Sequence, residues 1–245
     1  MFPITHIWFA ERLLKTRDNG LTLGAVFPDI VITGCLDYKQ THYCGRSLYE
    51  YLKGEASFFA RGMITHTIDP RGLDYYGDES YKQGYKGYCF QKGQSIVDRV
   101  IKACRLPEEF GLWKAHNFIE MGIELNILQE DPGLAGALHR AFCDEANLRQ
   151  AGELLESYFD LKKYCINESF KRFSEYIELE NSNSHKLAAK YDMQMRSKHG
   201  ISIDISEAAE IIEACRSLVK EDFPQFIEDC SGLVLDLFEG GDKNE

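Results

Sequence analysis

The sequence predicts an all-α protein, a single domain of about ten helices, on three observations. Apolar residues recur at three and four positions through most of the chain, the spacing that gives a helix one continuous apolar face. Alternating apolar and polar runs are scarce; only Ile201-Ser-Ile-Asp-Ile-Ser206 alternates, as a short strand or a helix lead-in. The chain has 245 residues, 44% of them hydrophobic, enough to bury a substantial core.

The elements follow in order. Ile7, Ala10, Leu13 and Leu14 define the first amphipathic helix, Phe58, Phe59, Gly62, Met63 and Thr65 the next, and Ile96, Val97, Val100, Ile101 and Cys104 a third. Further helices are expected over Lys114–Gln129, Gly133–Gly152, Glu153–Tyr164 and Glu168–Glu180. Ser206 caps a run reaching Lys220, and Pro224 opens a run ending at Gly240. The Gly- and Tyr-rich stretch from Gly72 to Gly93 breaks every helical period. It reads as a long loop, with Tyr75, Tyr76, Tyr81, Tyr85 and Tyr88 offering stacking faces and hydroxyls to a substrate. Residues 1–128 are expected to form a metal-binding core, with 129–245 adding helices packed on it or covering it.

Charge narrows the partners. Acids outnumber bases 39 to 28, a formal net charge of -11, so stable binding to a polyanion such as nucleic acid is not expected. A phosphate ester is still an acceptable ligand, because bound divalent cations invert the local field. No basic leader precedes Glu11 and Arg12, and no segment is long and apolar enough to span a membrane, so the expected location is cytoplasmic. The eight cysteines lack any C-x-x-C spacing and are expected to be reduced, structural thiols. Oligomeric state has no signature in the sequence.

The chemistry-bearing residues cluster early. His6, Asp29, His42, His66, Asp69, His116 and Glu120 all precede residue 125. On a helix, His66 with Asp69 and His116 with Glu120 can each turn two side chains toward one ion. Imidazole and carboxylate together suit zinc, with manganese or iron as substitutes. Asp74 and Glu124 are further candidates, Glu124 lying two turns beyond His116. Asn117, Thr65, Thr67 and Glu124 are the neighbours expected to orient the ligands. His139, His185 and His199 have no acid at a spacing that joins this set. No Gly-rich phosphate loop, nucleophile elbow or internal repeat is present.

The order of these residues, carried by THIWFAERLL, LGAVFPD, THY, FFARGMITHTID and HNFIE, resembles the zinc-dependent phospholipase C family, whose wider superfold includes single-strand-specific zinc nucleases. The resemblance covers about residues 1 to 128. It implies an all-helical fold with zinc ions in a cleft, two or three in number. It assigns Asp29, His42 and His66 to one ion, with Asp29 also a candidate base, and makes Asp69 the carboxylate bridging to a second ion held by His6. His116 and Glu120 would hold a third. The sequence departs from the family at three places. Residues 1–5 precede His6 where the family has a metal-binding terminus, His66 and Asp69 are three apart rather than four, and a histidine expected just after the bridging Asp is absent, Asp74 being the nearest substitute.

The implied activity is hydrolysis of a phosphate ester, in a phospholipid headgroup, a nucleotide or a small molecule, by a metal-activated hydroxide shared between ions ~3.5–4 Å apart. The alternative is a non-catalytic helical module that keeps its metal for structure. An HD-type phosphohydrolase would need adjacent His and Asp, a dipeptide the chain lacks.

Overall fold

The computed structural model describes residues 2–29, 35–84, 86–176 and 182–238, and among them every regular element is helical. The helices are α1 (Pro3–Leu14), α2 (Asn19–Val26), α3 (Tyr38–His42), α4 (Gly45–Leu52), α5 (Ser57–His66), α6 (Tyr88–Gly93), α7 (Val97–Cys104) and α8 (Gly111–Glu130). They continue with α9 (Gly133–Cys143), α10 (Glu145–Tyr158), α11 (Cys165–Tyr176), α12 (Ser184–His199), α13 (Ile205–Val219) and α14 (Phe223–Leu235). The all-α expectation holds; the expected count of about ten is too low.

Caps explain most of the differences. The single helix expected over Gly133–Gly152 is two, because Asp144 interrupts it and its carboxylate accepts the Asn147 N–H that opens α10. The Ile201–Ser206 alternation is a lead-in, and the cap of α13 is Asp204 rather than Ser206. Helix α12 had no sequence expectation. Its buried Leu187, Ala188, Tyr191 and Met195 keep helical spacing, Asn183 caps its start and Gly200, at φ +66°, ends it in the left-handed region. The Gly72–Gly93 stretch is not a loop throughout: residues Tyr75–Glu79 form a π-helical turn and Tyr88–Gly93 form α6.

The chain divides into two compact units that do not follow a boundary near residue 128. One comprises Pro3–Tyr75, Pro132–Glu180 and Asp229–Glu245; the other comprises Met1–Phe2, Tyr76–Asp131 and Asn181–Glu228.

In the unit that begins at Pro3, α2 packs most closely on α5 and also meets α1, α9 and α10. Two glycines make that crossing. A Cβ on Gly24 would sit 2.0 Å from the Phe59 carbonyl oxygen, and one on Gly62 would sit 2.2 Å from that of Leu21, so the backbones touch directly. The same unit holds a Cys35–Cys165 disulfide, Cα atoms 6.1 Å apart, which corrects the expectation of reduced thiols at these two positions.

In the other unit α8 is covered by α13, α6 and α7, and α12 packs on α13. Tyr88 is buried here. Its ring stacks on Phe226 at 4.4 Å and its hydroxyl donates to Asp222 at 2.7 Å, while Tyr81 meets Phe226 edge-on at 4.9 Å. Tyr88 is thus a core residue, and the half-buried Tyr81 packs beside it. Tyr75 and Tyr76 are half-buried, with Arg71 over the Tyr75 ring, and Tyr85 lies outside the described residues.

Candidate metal centre

Five side chains from α1, α3, α5 and two connecting segments converge inside the unit that begins at Pro3. His6 sits on the first turns of α1, a helix buried on almost every side because Ile4, Ile7, Phe9, Ala10 and Leu13 are all core. Asp29 ends the 3-10 turn of residues 27–29 that follows α2. His42 is the last residue of α3, a five-residue helix held by a reciprocal Asp37–Gln40 capping box. His66 is the last residue of α5.

Asp74 stands at the centre. Its Oδ1 lies 3.2 Å from His6 Nε2, and its Oδ2 lies 3.2 Å from His66 Nε2 and 3.5 Å from His42 Nε2. Asp29 Oδ1 completes the group at 3.9 Å from His42 Nε2 and 4.0 Å from His66 Nε2. The His6 and His66 rings stack at 3.4 Å between centroids. His6, His42, His66 and Asp74 are all buried, while the Asp29 side chain keeps 23% of its surface.

These separations fit a metal. Zinc bonds of ~2.0–2.1 Å in tetrahedral geometry place ligand atoms ~3.3 Å apart, close to the observed edges. Two subsets, His6–His66–Asp74 and Asp29–His42–His66, each bring three ligand atoms within 4.8 Å of one another and could hold an ion. The charge balance agrees, since two carboxylates among neutral imidazoles leave a buried negative charge that a divalent cation would neutralise.

The ring nitrogens away from the cluster are oriented by groups the sequence did not suggest. The Ala25 carbonyl can only accept, so the His66 Nδ1 contact at 2.6 Å makes Nδ1 the donor. Thr41 Oγ1 donates to the Pro28 carbonyl at 2.9 Å and faces His42 Nδ1 at 3.1 Å, so it can accept there. Both contacts turn an Nε2 lone pair toward the cluster in the neutral ring. Thr65, Thr67 and Asn117, expected in this role, bond instead to Gly62 O, Pro70 O and the Tyr191 hydroxyl.

Asp69 is the main correction. The i, i+3 rule that paired it with His66 ends with the helix, and α5 stops at His66 because Thr67 is extended at ψ 165°. The Asp69 side chain is exposed and joins neither ligand subset; only its backbone contributes, through its N–H to the His42 carbonyl at 3.0 Å. Ile68 N–H reaches the same carbonyl at 2.9 Å. These bonds pin α3 to the turn after α5, and the chain then brings Asp74 where Asp69 was expected.

Titration follows from burial. Desolvation pushes His6 down to about 3, with repulsion from His66 adding to it and Asp74 opposing. Burial also pulls on His66, but the Asp74 and Asp29 carboxylates outweigh it and raise its pKa. Burial pushes Asp74 up, yet the positive charges around it, the α-amino group first and then His66 and His6, hold its carboxyl well below the usual range. In the metal-free protein the raised His66 stabilises the fold fully below the free imidazole value of ~6.5, and that contribution is lost as pH rises through the higher folded value. A metal needs the same Nε2 deprotonated. The melting-temperature gap between zinc-loaded and metal-free protein should therefore widen from pH ~5.5 to ~8. A gap independent of pH, by calorimetry, would remove His66 from the ligand set.

His116 and Glu120, the expected third pair, lie on α8 in the other unit, with His116 Nε2 4.0 Å from Glu120 Oε1. Phe90 stacks on His116 at 4.2 Å, and Glu124 is fully buried one turn beyond Glu120.

No protein-family model matches the chain, and the searches of curated proteins and of solved structures return no match.

Proposed function

We propose that this protein is a divalent-metal-dependent phosphoric ester hydrolase acting on a small phosphodiester. The observation that carries the reading is Asp74. One buried carboxylate turns its two oxygens to different imidazoles, His6 on one side and His42 with His66 on the other, as a carboxylate shared by two ions would. The resemblance to zinc-dependent phospholipase C adds support, with Asp74 taking the bridging place first given to Asp69.

His6, Asp29, His42, His66 and Asp74 would hold two ions, zinc fitting the donor set best and manganese or iron next. Bound there, the ions would acidify water and neutralise a phosphate. Asp29 is the one ligand candidate with substantial exposure, so substrate would approach on its side, where its carboxylate can accept a proton. An oxidising compartment fits the Cys35–Cys165 disulfide better than the cytoplasm. No helix among the described residues is long and apolar enough to cross a membrane.

The burial of His6, His66 and Asp74 favours a second reading, a closed structural site. One experiment separates them. Protein purified without a histidine tag should carry at least one equivalent of zinc, manganese or iron. It should also cleave a generic diester such as bis(p-nitrophenyl) phosphate in a metal-dependent way. Less than one equivalent together with no metal-stimulated cleavage overturns the hydrolase. Bound metal, a melting temperature that collapses in His66→Ala, and no turnover of any diester would favour the structural site.

A further inference from the structure

We infer that Lys114 is a carbon dioxide-binding residue, its side-chain amine forming a reversible carbamate among cationic neighbours where the ends of α7, α8 and α12 meet. The site lies wholly within the unit that contains α8 and α12, and it does not rest on the phosphoesterase reading.

The backbone brings the groups together. Lys114 is in the first turn of α8, and Gly200 ends α12 directly after His199. The Asp204 N–H donates to the Ala103 carbonyl at 2.8 Å, which ties the last turn of α7 to the segment that follows α12. Lys114 is thereby buried, with Nζ 3.1 Å from His199 Nε2 and 4.0 Å from the centre of the Trp113 ring. Both of those rings are exposed, so the amine lies just beneath the surface. The titratable groups that act on it are Lys198, His199 and the Cys104 thiol, and no carboxylate of the described residues is among them. Burial pushes Cys104 up to about 12, so it is a neutral thiol that offers the amine no counter-charge.

This setting disfavours an ammonium and favours its carbamate. Burial pushes Lys114 down to about 8, and repulsion from Lys198 adds to it. At pH 7 such a lysine is ~10% free amine, where a solvated lysine is below ~0.1%. Only the free amine attacks carbon dioxide. Its lone pair forms the C–N bond, one C=O pair moves onto oxygen, and an N–H proton leaves. His199 Nε2 is placed to take that proton and pass it to water, because burial, with Lys114 and Lys198 adding to it, lowers its pKa and keeps it neutral. The side-chain charge thereby turns from positive to negative, and the Lys198 ammonium that repelled it now attracts it. Carbon dioxide is small and apolar, which suits a buried amine better than a bulky acyl donor does.

Trapping reads the carbamate directly. Full-length protein equilibrated with carbon dioxide at pH ~7.5 is treated with triethyloxonium tetrafluoroborate, and ethyl carbamates are located by peptide mass spectrometry. Lys114 should be labelled ~10-fold or more above any exposed lysine, and at fixed carbon dioxide pressure its label should grow from pH ~6 to ~8 as free amine accumulates. Lys198→Glu returns a counter-charge to the ammonium and should cut the label ~5-fold or more. His199→Gln, which removes the proton acceptor, should slow labelling in a short carbon dioxide pulse. An added peptide with a free α-amino group serves as the positive control. If that peptide is labelled while Lys114 in the wild type is not, or is labelled no more than exposed lysines, the inference is overturned. A label unchanged in Lys198→Glu, with the fold checked by circular dichroism, overturns it equally.

Discussion

Asp74→Asn should strip the protein of most of its divalent metal and lower diester cleavage by ~100-fold or more, whereas Asp69→Asn should leave both within error. The asymmetry follows from geometry. Asp74 is buried with three imidazole Nε2 atoms within 3.5 Å, and asparagine keeps its size while removing the negative charge and one acceptor oxygen. Lost ligands are costlier than lost orienting neighbours, which typically weaken metal sites by ~10–100-fold, so the upper end of that range is a floor. Asp69 has an exposed side chain and works through its backbone N–H, which asparagine retains. Metal analysis by mass spectrometry and a diester assay on both variants decide the matter. Equal losses in the two, or metal retained in Asp74→Asn, would return the bridging role to residue 69 or dismiss it.

Gly62→Ala should destabilise the protein by about 3 kcal/mol, the upper part of the usual range for overpacking a core. The added methyl would lie 2.2 Å from the Leu21 carbonyl oxygen and 2.7 Å from the Ala25 backbone nitrogen, and backbone atoms cannot rotate out of the way as a side chain can. For a chain of this size that corresponds to a fall in melting temperature of ~6–12 °C. Metal binding should weaken as well, because α2 delivers the Ala25 carbonyl and Asp29 while α5 delivers His66, and the crossing sets their separation. Gly54→Ala is the control: nothing lies within 4 Å of its added carbon, so its melting curve should overlay the wild type's. Thermal denaturation followed by circular dichroism measures both, and a Gly62→Ala curve matching that of Gly54→Ala would contradict the close crossing.

Much of this was readable from residues alone because it is local. Helix α8 is legible from its apolar spacing between residues 114 and 129, and its observed span is Gly111–Glu130. His6, His42 and His66 were identifiable as ligand candidates because imidazoles beside carboxylates are chemically conspicuous, and the structure does bring them together. Helix α12 is harder to read because most of its residues are polar; the spacing of Leu187, Ala188, Tyr191 and Met195 and the Asn183 and Gly200 caps were the available signals. Thr41 escaped because its value lies in reaching Pro28 and His42 at once, which spacing does not express.

The sequence by itself determined the all-helical class, the net negative charge, and the three histidines that converge. Only the tertiary structure decided which carboxylate joins them. Whether residue 69 or 74 faces His66 depends on where α5 stops and on how the turn after it is tied to the His42 carbonyl, a contact between segments more than twenty residues apart. Periodicity reports the face on which a residue lies; packing alone determines what that face meets.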